Sequence, residues 1–395
     1  MNGTTKHADR SSRPVGVALP DFPWDALLPA KRQASVHPDG IVDLSVGTPV
    51  DPTPAVVRAA LARSADAPGY PLTAGTEQLR RAVVDWFARR RGVGGLDEAG
   101  VLPTIGSKEL VAWLPTLLGL GPGDLVGIPP VAYPTYDVGA RLSGATPVVV
   151  SSLSGLGPLT SATTPRMLWL NSPSNPTGAV LPVEHLAKVV GWAREHGVIV
   201  ASDECYAELD WAPEGTRAMS AGARHTTPSL LDPAVCGGDH TGLLVVYSLS
   251  KRSNLAGYRA AFVAGDPAIV GVLLEVRRHA GMMMPAPVQA AMVAALGDDS
   301  HVYEQRLRYG VRRELLSEAM TAAGLRIEES QAGLYLWATR DEDCWETVDW
   351  LAGLGILVAP GAFYGPGGRQ HVRVALTATD ERVEAAARRF SDTPR

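Results

Sequence analysis

At 395 residues, 46% hydrophobic and 19% charged, the sequence is that of an ordinary globular protein too long for one typical core, so a large domain with a smaller companion is expected. A formal net charge of -5 gives no electrostatic footing for nucleic acid or an anionic membrane, and no apolar run reaches the roughly 18 residues a membrane-spanning helix needs. The three cysteines, Cys205, Cys236 and Cys344, are scattered and odd in number. With no CxxC or HExxH pattern either, a disulfide framework and a metal site are disfavoured, and a cytoplasmic setting is expected.

Residues 1–14 are polar, lack the apolar stretch of a secretory signal and read as a disordered tail. An arm over 15–45 follows, with Phe22-Pro23-Trp24 and a short apolar segment at 41–44, and it leads into Gly47-Thr48-Pro49. Over 76–91, Leu79, Ala82, Val83, Trp86 and Phe87 recur at helical spacing, which predicts an amphipathic helix ending in Arg89-Arg90-Arg91, read as a solvated end.

Helical stretches at about 107–119, 133–143 and 182–196 then alternate with apolar runs at 125–128, 147–150, 167–170, 198–201, 243–247 and 260–264. Alternation of this kind predicts crossover units and an α/β fold with a mainly parallel sheet, whose ligands sit at the carboxyl ends of the strands. This large domain is assigned to 46–280. Beyond it, a long helical region at about 286–323, a second near 345–353 and strands at 333–338, 356–359 and 371–376 suggest a smaller α+β domain over 281–395, completed by the arm.

The chemistry-bearing residues fall where the strands end. Ser248-Leu249-Ser250-Lys251 follows the run at 243–247, with Arg259 eight residues on. Hydroxyls and a guanidinium suit a phosphate, and a lysine beside it can condense with an aldehyde on the same cofactor. Asp203 follows 198–201, with Tyr206 three residues later. An aspartate there either caps a helix or keeps a pyridine nitrogen protonated, while a phenol can donate to the ring's 3-oxygen. Asn171-Ser172-Pro173-Ser174-Asn175-Pro176-Thr177-Gly178 follows 167–170 and is either a turn or the source of a second 3-oxygen contact, Asn175. Gly106-Ser107-Lys108 opens a helix, a placement that favours an anion at the backbone N–H groups.

In order and placement these segments resemble the fold-type I pyridoxal-phosphate enzymes, in the branch that includes the aspartate aminotransferases, from about Asp43 to Ala378. The resemblance implies a large domain with a mainly parallel seven-stranded sheet flanked by helices, plus a smaller α+β domain. It implies pyridoxal 5'-phosphate bound covalently to Lys251, which also moves the substrate proton in a ping-pong cycle. Asp203 would pair with the ring nitrogen, Asn175 and Tyr206 with the 3-oxygen, and Tyr133 would stack on the ring. Gly106, Ser107, Lys108 (by its backbone), Ser248, Ser250 and Arg259 would form the phosphate cup. Arg373 and Gly47 would meet the substrate carboxylate. Tyr70 would reach the phosphate of a partner subunit, which implies a homodimer with shared active sites.

Phe22-Pro23-Trp24-Asp25, the stretch 37–52 and Ala280-Gly281-Met282-Met283-Met284-Pro285-Ala286-Pro287 look like the actinobacterial-type N-succinyldiaminopimelate aminotransferases of lysine biosynthesis, which use glutamate and 2-oxoglutarate. So long an anion calls for a second cationic or amide contact, for which Arg277, Arg278 and His279 are candidates, although they read equally well as a solvated helix end. Met282, Met283 and Met284 suit a pocket wall or a core equally, and Phe22 and Trp24 suit closure over the site or docking of the arm. The competing readings are an aminotransferase for aspartate, alanine or another amino acid, a lyase or synthase on the same scaffold, and a cofactor-binding regulator.

Overall fold

The computed structural model describes residues 19–156, 160, 162–211 and 227–391, so the expected tail at 1–14 lies outside the described residues. Apolar runs bounded by glycine, proline and asparagine form β2 (Val101–Ile105), β3 (Leu125–Ile128), β4 (Thr146–Val149), β5 (Met167–Asn171), β6 (Ile199–Asp203), β7 (Leu243–Ser248) and β8 (Ala260–Gly265). They make one seven-stranded sheet in the order β2-β8-β7-β6-β5-β3-β4. Pairing is parallel from β7 through β4, while β8 runs antiparallel to both β7 and β2. The strands are apolar throughout because both faces are covered: along β7, Leu243, Val245 and Tyr247 enter one core while Leu244 and Val246 enter another.

The helix expected over 76–91 forms at Glu77–Trp86, where the Thr76 hydroxyl caps the Leu79 N–H at 3.1 Å and Leu79, Val83 and Trp86 are buried. It then widens over Phe87–Arg91 and stops at Gly92, whose φ of 71° suits the left-handed end of a helix. The solvated reading of Arg89-Arg90-Arg91 is corrected here. Arg90 and Arg91 are buried against Glu208 (3.2 Å) and Glu204 (3.1 Å), and Arg89 bonds Asp299. The wide turn points these side chains inward, where buried carboxylates answer their charge.

The long region at 286–323 is two helices, Ala286–Gly297 and Ser300–Ala322. The first contributes Val288, Ala291, Met292, Ala295 and Leu296 to the core of the large sheet, so this core reaches past residue 281. The smaller part holds β10 (Tyr335–Thr339) between β9 (Arg326–Glu328) and β13 (His371–Ala375), with β12 (Ala359–Pro360) on the far side of β13, all antiparallel. The arm joins it: β1 (Val42–Asp43) pairs in parallel with β11 (Ile356–Leu357), and Leu27, Ala30, Ala34, Val42 and Leu44 sit in its core. Among the described residues no helix is long and apolar enough to cross a membrane.

Candidate active site

Pairing of the large sheet brings separate strand ends to one edge. Asn171 at the end of β5 is in register with Asp203 at the end of β6, and Asp203 with Val246 near the end of β7. Because β8 is reversed, its first residue, Ala260, lies beside Ile105 at the end of β2. Arg259 therefore meets Gly106 and the start of the Ser107–Leu117 helix. Gly106 has φ 78° and ψ 156°, and a side chain there would run into the Arg259 guanidinium. Arg259 itself is held at φ 56°. Ser248 and Ser250 close this corner with a hydroxyl–hydroxyl bond of 2.8 Å. The result is a pocket of hydroxyl, guanidinium and helix N-terminal N–H donors.

Asp203 is buried. Its carboxylate accepts from the Tyr136 hydroxyl (3.0 Å) and the Cys205 N–H (3.1 Å), so the aspartate caps a turn and not a helix. Burial raises its proton affinity despite these two bonds. Asn171 bonds the Asp203 carbonyl and accepts from the Asn175 N–H at 2.7 Å, tying the 171–178 loop to β6. Lys251 stands on the turn Leu249–Arg252 and donates to the Gly47 carbonyl. Its burial lowers the affinity of the amine for its proton, and Arg373 and Arg259 lower it further.

Across the cleft, Arg373 is buried in the middle of β13, bonded to Asn175 Oδ1 at 2.9 Å and to the Ser45 carbonyl at 2.7 Å. Its guanidinium carbon lies 3.9 Å from the centroid of the Tyr335 ring and 5.1 Å from that of Tyr364. Tyr335 and Tyr206 join hydroxyls at 3.1 Å. Burial followed by the neighbouring Tyr335 pushes the Tyr206 phenol well above its ordinary range. For Tyr335, burial is outweighed by Arg373, Lys251 and the Tyr206 bond, which hold it below. Burial pushes Tyr133 up to about 12.

One cavity of about 1170 Å³ is lined by Gly47, Ser107, Lys108, Tyr133, Asn175 and Asp203, and also by Tyr206, Ser248, Ser250, Lys251, Arg259 and Arg373. Sequence reasoning missed Tyr136, Tyr335 and Tyr364, and named Asn171 only as the start of its loop motif. A tyrosine next to a strand or inside an amphipathic helix carries no signal of its own.

Two alternatives that the sequence leaves open are decided here. Arg277 is buried and bidentate to Glu109 (2.7 and 3.1 Å), while Arg278 and His279 pair with Glu275, so none of the three lines the cavity. Met284 lies in the large core, and neither it nor Met282 nor Met283 lines the cavity. Phe22 and Trp24 do both things open to them: they line the cavity, and Trp24 packs on Phe363 at 5.3 Å. Tyr70 is 94% exposed and stands outside the chain's own cavity.

A family profile described as "Aminotransferase class I and II" matches residues 39–390. The chain belongs to this family. The aminotransferase is 61% identical to a probable aminotransferase of Mycobacterium tuberculosis over 95% of this chain and 86% of that one. It is 57% identical to the 4-dedimethylamino-4-oxo-anhydrotetracycline transaminase of Streptomyces rimosus, over 94% and 99% of the two chains. Among solved structures, a probable N-succinyldiaminopimelate aminotransferase of Thermus thermophilus superposes with a TM-score of 0.80 at 30% identity, covering 94% and 100%. The fold is that of the fold-type I pyridoxal-phosphate transferases, and the enzyme is a pyridoxal-phosphate-dependent aminotransferase.

The residues present fit that cofactor. Among the described residues the buried Asp203 carboxylate has no ion-pair partner, which leaves it to answer a protonated ring nitrogen from the cavity side. The buried Nε of Arg373 likewise has no partner among the described residues. The corner of Gly106, Ser107, Ser248, Ser250 and Arg259 offers donors where a phosphate would lie.

Proposed function

We propose that Lys251 is the lysine that holds the cofactor and moves the substrate proton, and that Asp203, Arg373 and the Gly106–Arg259 corner serve the ring nitrogen, the substrate carboxylate and the phosphate. One observation carries this reading: Lys251 on the turn after β7, Asp203 at the end of β6 and Arg373 on β13 open into a single cavity. Pyridoxal phosphate, when bound, supplies an electron-withdrawing ring that stabilises negative charge at the substrate α-carbon. Asp203 holds the ring nitrogen's proton. Tyr206 and Asn175 contact the 3-oxygen, and Tyr133 covers the ring. Ser107 and Lys108 by their backbone, with Gly106, Ser248, Ser250 and Arg259, grip the phosphate. Arg373 clamps the α-carboxylate beside Gly47 and so fixes the α-C–H bond near the Lys251 amine. That amine would take the α-proton and pass it on to the cofactor, a task suited to an amine whose proton affinity burial has lowered.

The substrate pair we propose is N-succinyl-LL-diaminopimelate and 2-oxoglutarate, with glutamate as amino donor in the biosynthetic direction. The likeness to the Thermus thermophilus enzyme supports this, as does Lys108 on the cavity wall. Its Nζ lies 5.7 Å from the Phe22 ring centroid, where a distal carboxylate would find a cation. A second reading, a bulky ketone acceptor, is favoured by the apolar outer wall of Phe22, Trp24, Ile128, Pro130, Val138 and Phe363, and by the Streptomyces rimosus relative. We further propose a cytoplasmic homodimer in which the exposed Tyr70 reaches the partner's phosphate.

A panel of succinylated, free and bulky apolar acceptors, each tested after glutamate alone has converted the bound cofactor to its amine form, distinguishes these readings. A succinylated acceptor preferred by at least about tenfold in kcat/KM, roughly one well-placed ion pair, supports the first. A preference for aspartate, alanine or an apolar ketone overturns it.

A further inference from the structure

We infer that Tyr335 is a positioning residue whose hydroxyl donates to Tyr206 and so strengthens the hydrogen bond that Tyr206 gives to the cofactor's 3-oxygen. The inference rests on the cofactor reading above and adds a residue that reading does not contain.

Three contacts fix Tyr335. Its ring lies edge-on to Tyr206, centroids 5.6 Å apart, with the hydroxyls at 3.1 Å. Arg373 covers its face with the guanidinium carbon 3.9 Å from the ring centroid. A side chain added at Gly47 would collide with the Tyr335 hydroxyl, so glycine there leaves that oxygen its space. The register explains the placement: Arg373 on β13 is opposite Trp337 on β10, and Tyr335, two residues along, shares its face on the diagonal.

A phenol has one hydrogen to give. If Tyr206 gives its hydrogen to the 3-oxygen, its own oxygen is left to accept, and Tyr335 is the hydroxyl placed to fill it. A donor that is itself hydrogen-bonded at its oxygen is a stronger donor. The charged and titratable groups facing this pair are Lys251, Arg373, Asp203 and Cys205, with Tyr133 and Tyr364 beyond them. Arg373, the cation against the Tyr335 ring, favours a phenol that donates its hydrogen to its neighbour.

The test uses the cofactor-loaded wild type, Tyr335→Phe, Tyr206→Phe and the double variant. Phenylalanine keeps the ring under Arg373 and removes only the hydroxyl. Two quantities are read: the pH midpoint of the visible absorption change, and kcat and KM for glutamate. Loss of one hydrogen bond should raise the midpoint by about half a unit to one unit in Tyr335→Phe. It should lower kcat by about threefold to tenfold with KM changed less than about twofold, because the carboxylate clamp is intact. In the Tyr206→Phe background the Tyr335→Phe shift should vanish, since no phenol oxygen remains to receive the bond. An unmoved midpoint, an equal shift in both backgrounds, or an effect confined to KM would overturn the inference while leaving the aminotransferase intact. A wild type with no visible band would sink the cofactor reading and this inference with it.

Discussion

The Tyr136 hydroxyl donates to the Asp203 carboxylate at 3.0 Å, while the Tyr136 ring stacks on Trp169 with centroids 4.9 Å apart. The bond leaves the second carboxylate oxygen to the Cys205 N–H, so the plane of the carboxylate is set from two sides. Tyr136→Phe keeps the stack and loses the bond. We expect kcat to fall by about threefold to tenfold, the worth of one buried hydrogen bond, with KM for glutamate little changed. Single-turnover kinetics check this, and an unchanged rate would show that Asp203 needs no orienting partner.

Gly106 combines a backbone that only glycine adopts readily with direct contact to Arg259. Gly106→Ala should destabilise the protein by about 1–3 kcal/mol through backbone strain. Because the guanidinium must also shift, cofactor affinity should drop as well. Equilibrium unfolding and cofactor titration read the two effects separately. A destabilised variant with unaltered cofactor affinity would remove Gly106 and Arg259 from the phosphate site.

Arg373→Lys retains a positive charge but not the planar fork that bonds Asn175, Ser45 and a carboxylate together. We expect kcat/KM for amino-acid substrates to fall by roughly 30-fold or more, the loss typical when one member of a buried charged pair is truncated. Steady-state kinetics against amine analogues that lack the carboxylate provide the comparison, because those should be affected far less.

Lys251 links stability to pH with a definite sign. Burial holds its proton affinity below the ordinary value of 10.5, so at neutral pH the unfolded chain binds this proton more tightly than the folded one. The folded state is penalised across neutral pH, and the penalty fades as pH rises toward the unfolded value. The cofactor-free Lys251→Met variant should therefore melt above the cofactor-free wild type at pH 7, and the gap should narrow as pH rises toward 10.5. Thermal melts across that range decide it, and a gap that widens with pH contradicts the account.

Lys251, Asp203 and Arg259 were legible because each borders an uninterrupted apolar run, and strand ends in such sheets are where ligands bind. The tyrosines were not. Tyr136 lies 67 residues from Asp203 and Tyr335 lies 129 from Tyr206, on elements whose meeting is decided by tertiary packing. β2 escaped notice because Pro103 sits inside it, which is tolerated because β2 is an edge strand. The helix Ala55–Arg63 buries only Val57 and Ala60, too little for a clear periodicity. The buried Arg90 and Arg91 show the limit of reading charge as surface, since their carboxylate partners Glu208 and Glu204 are more than a hundred residues away in sequence.

Borohydride reduction of the cofactor-loaded enzyme, followed by peptide mapping, tests the central claim most directly. The account predicts a stable adduct on the peptide that contains Lys251 and none on the peptide that contains Lys108. An adduct at any other side chain, or no adduct at all, would contradict it.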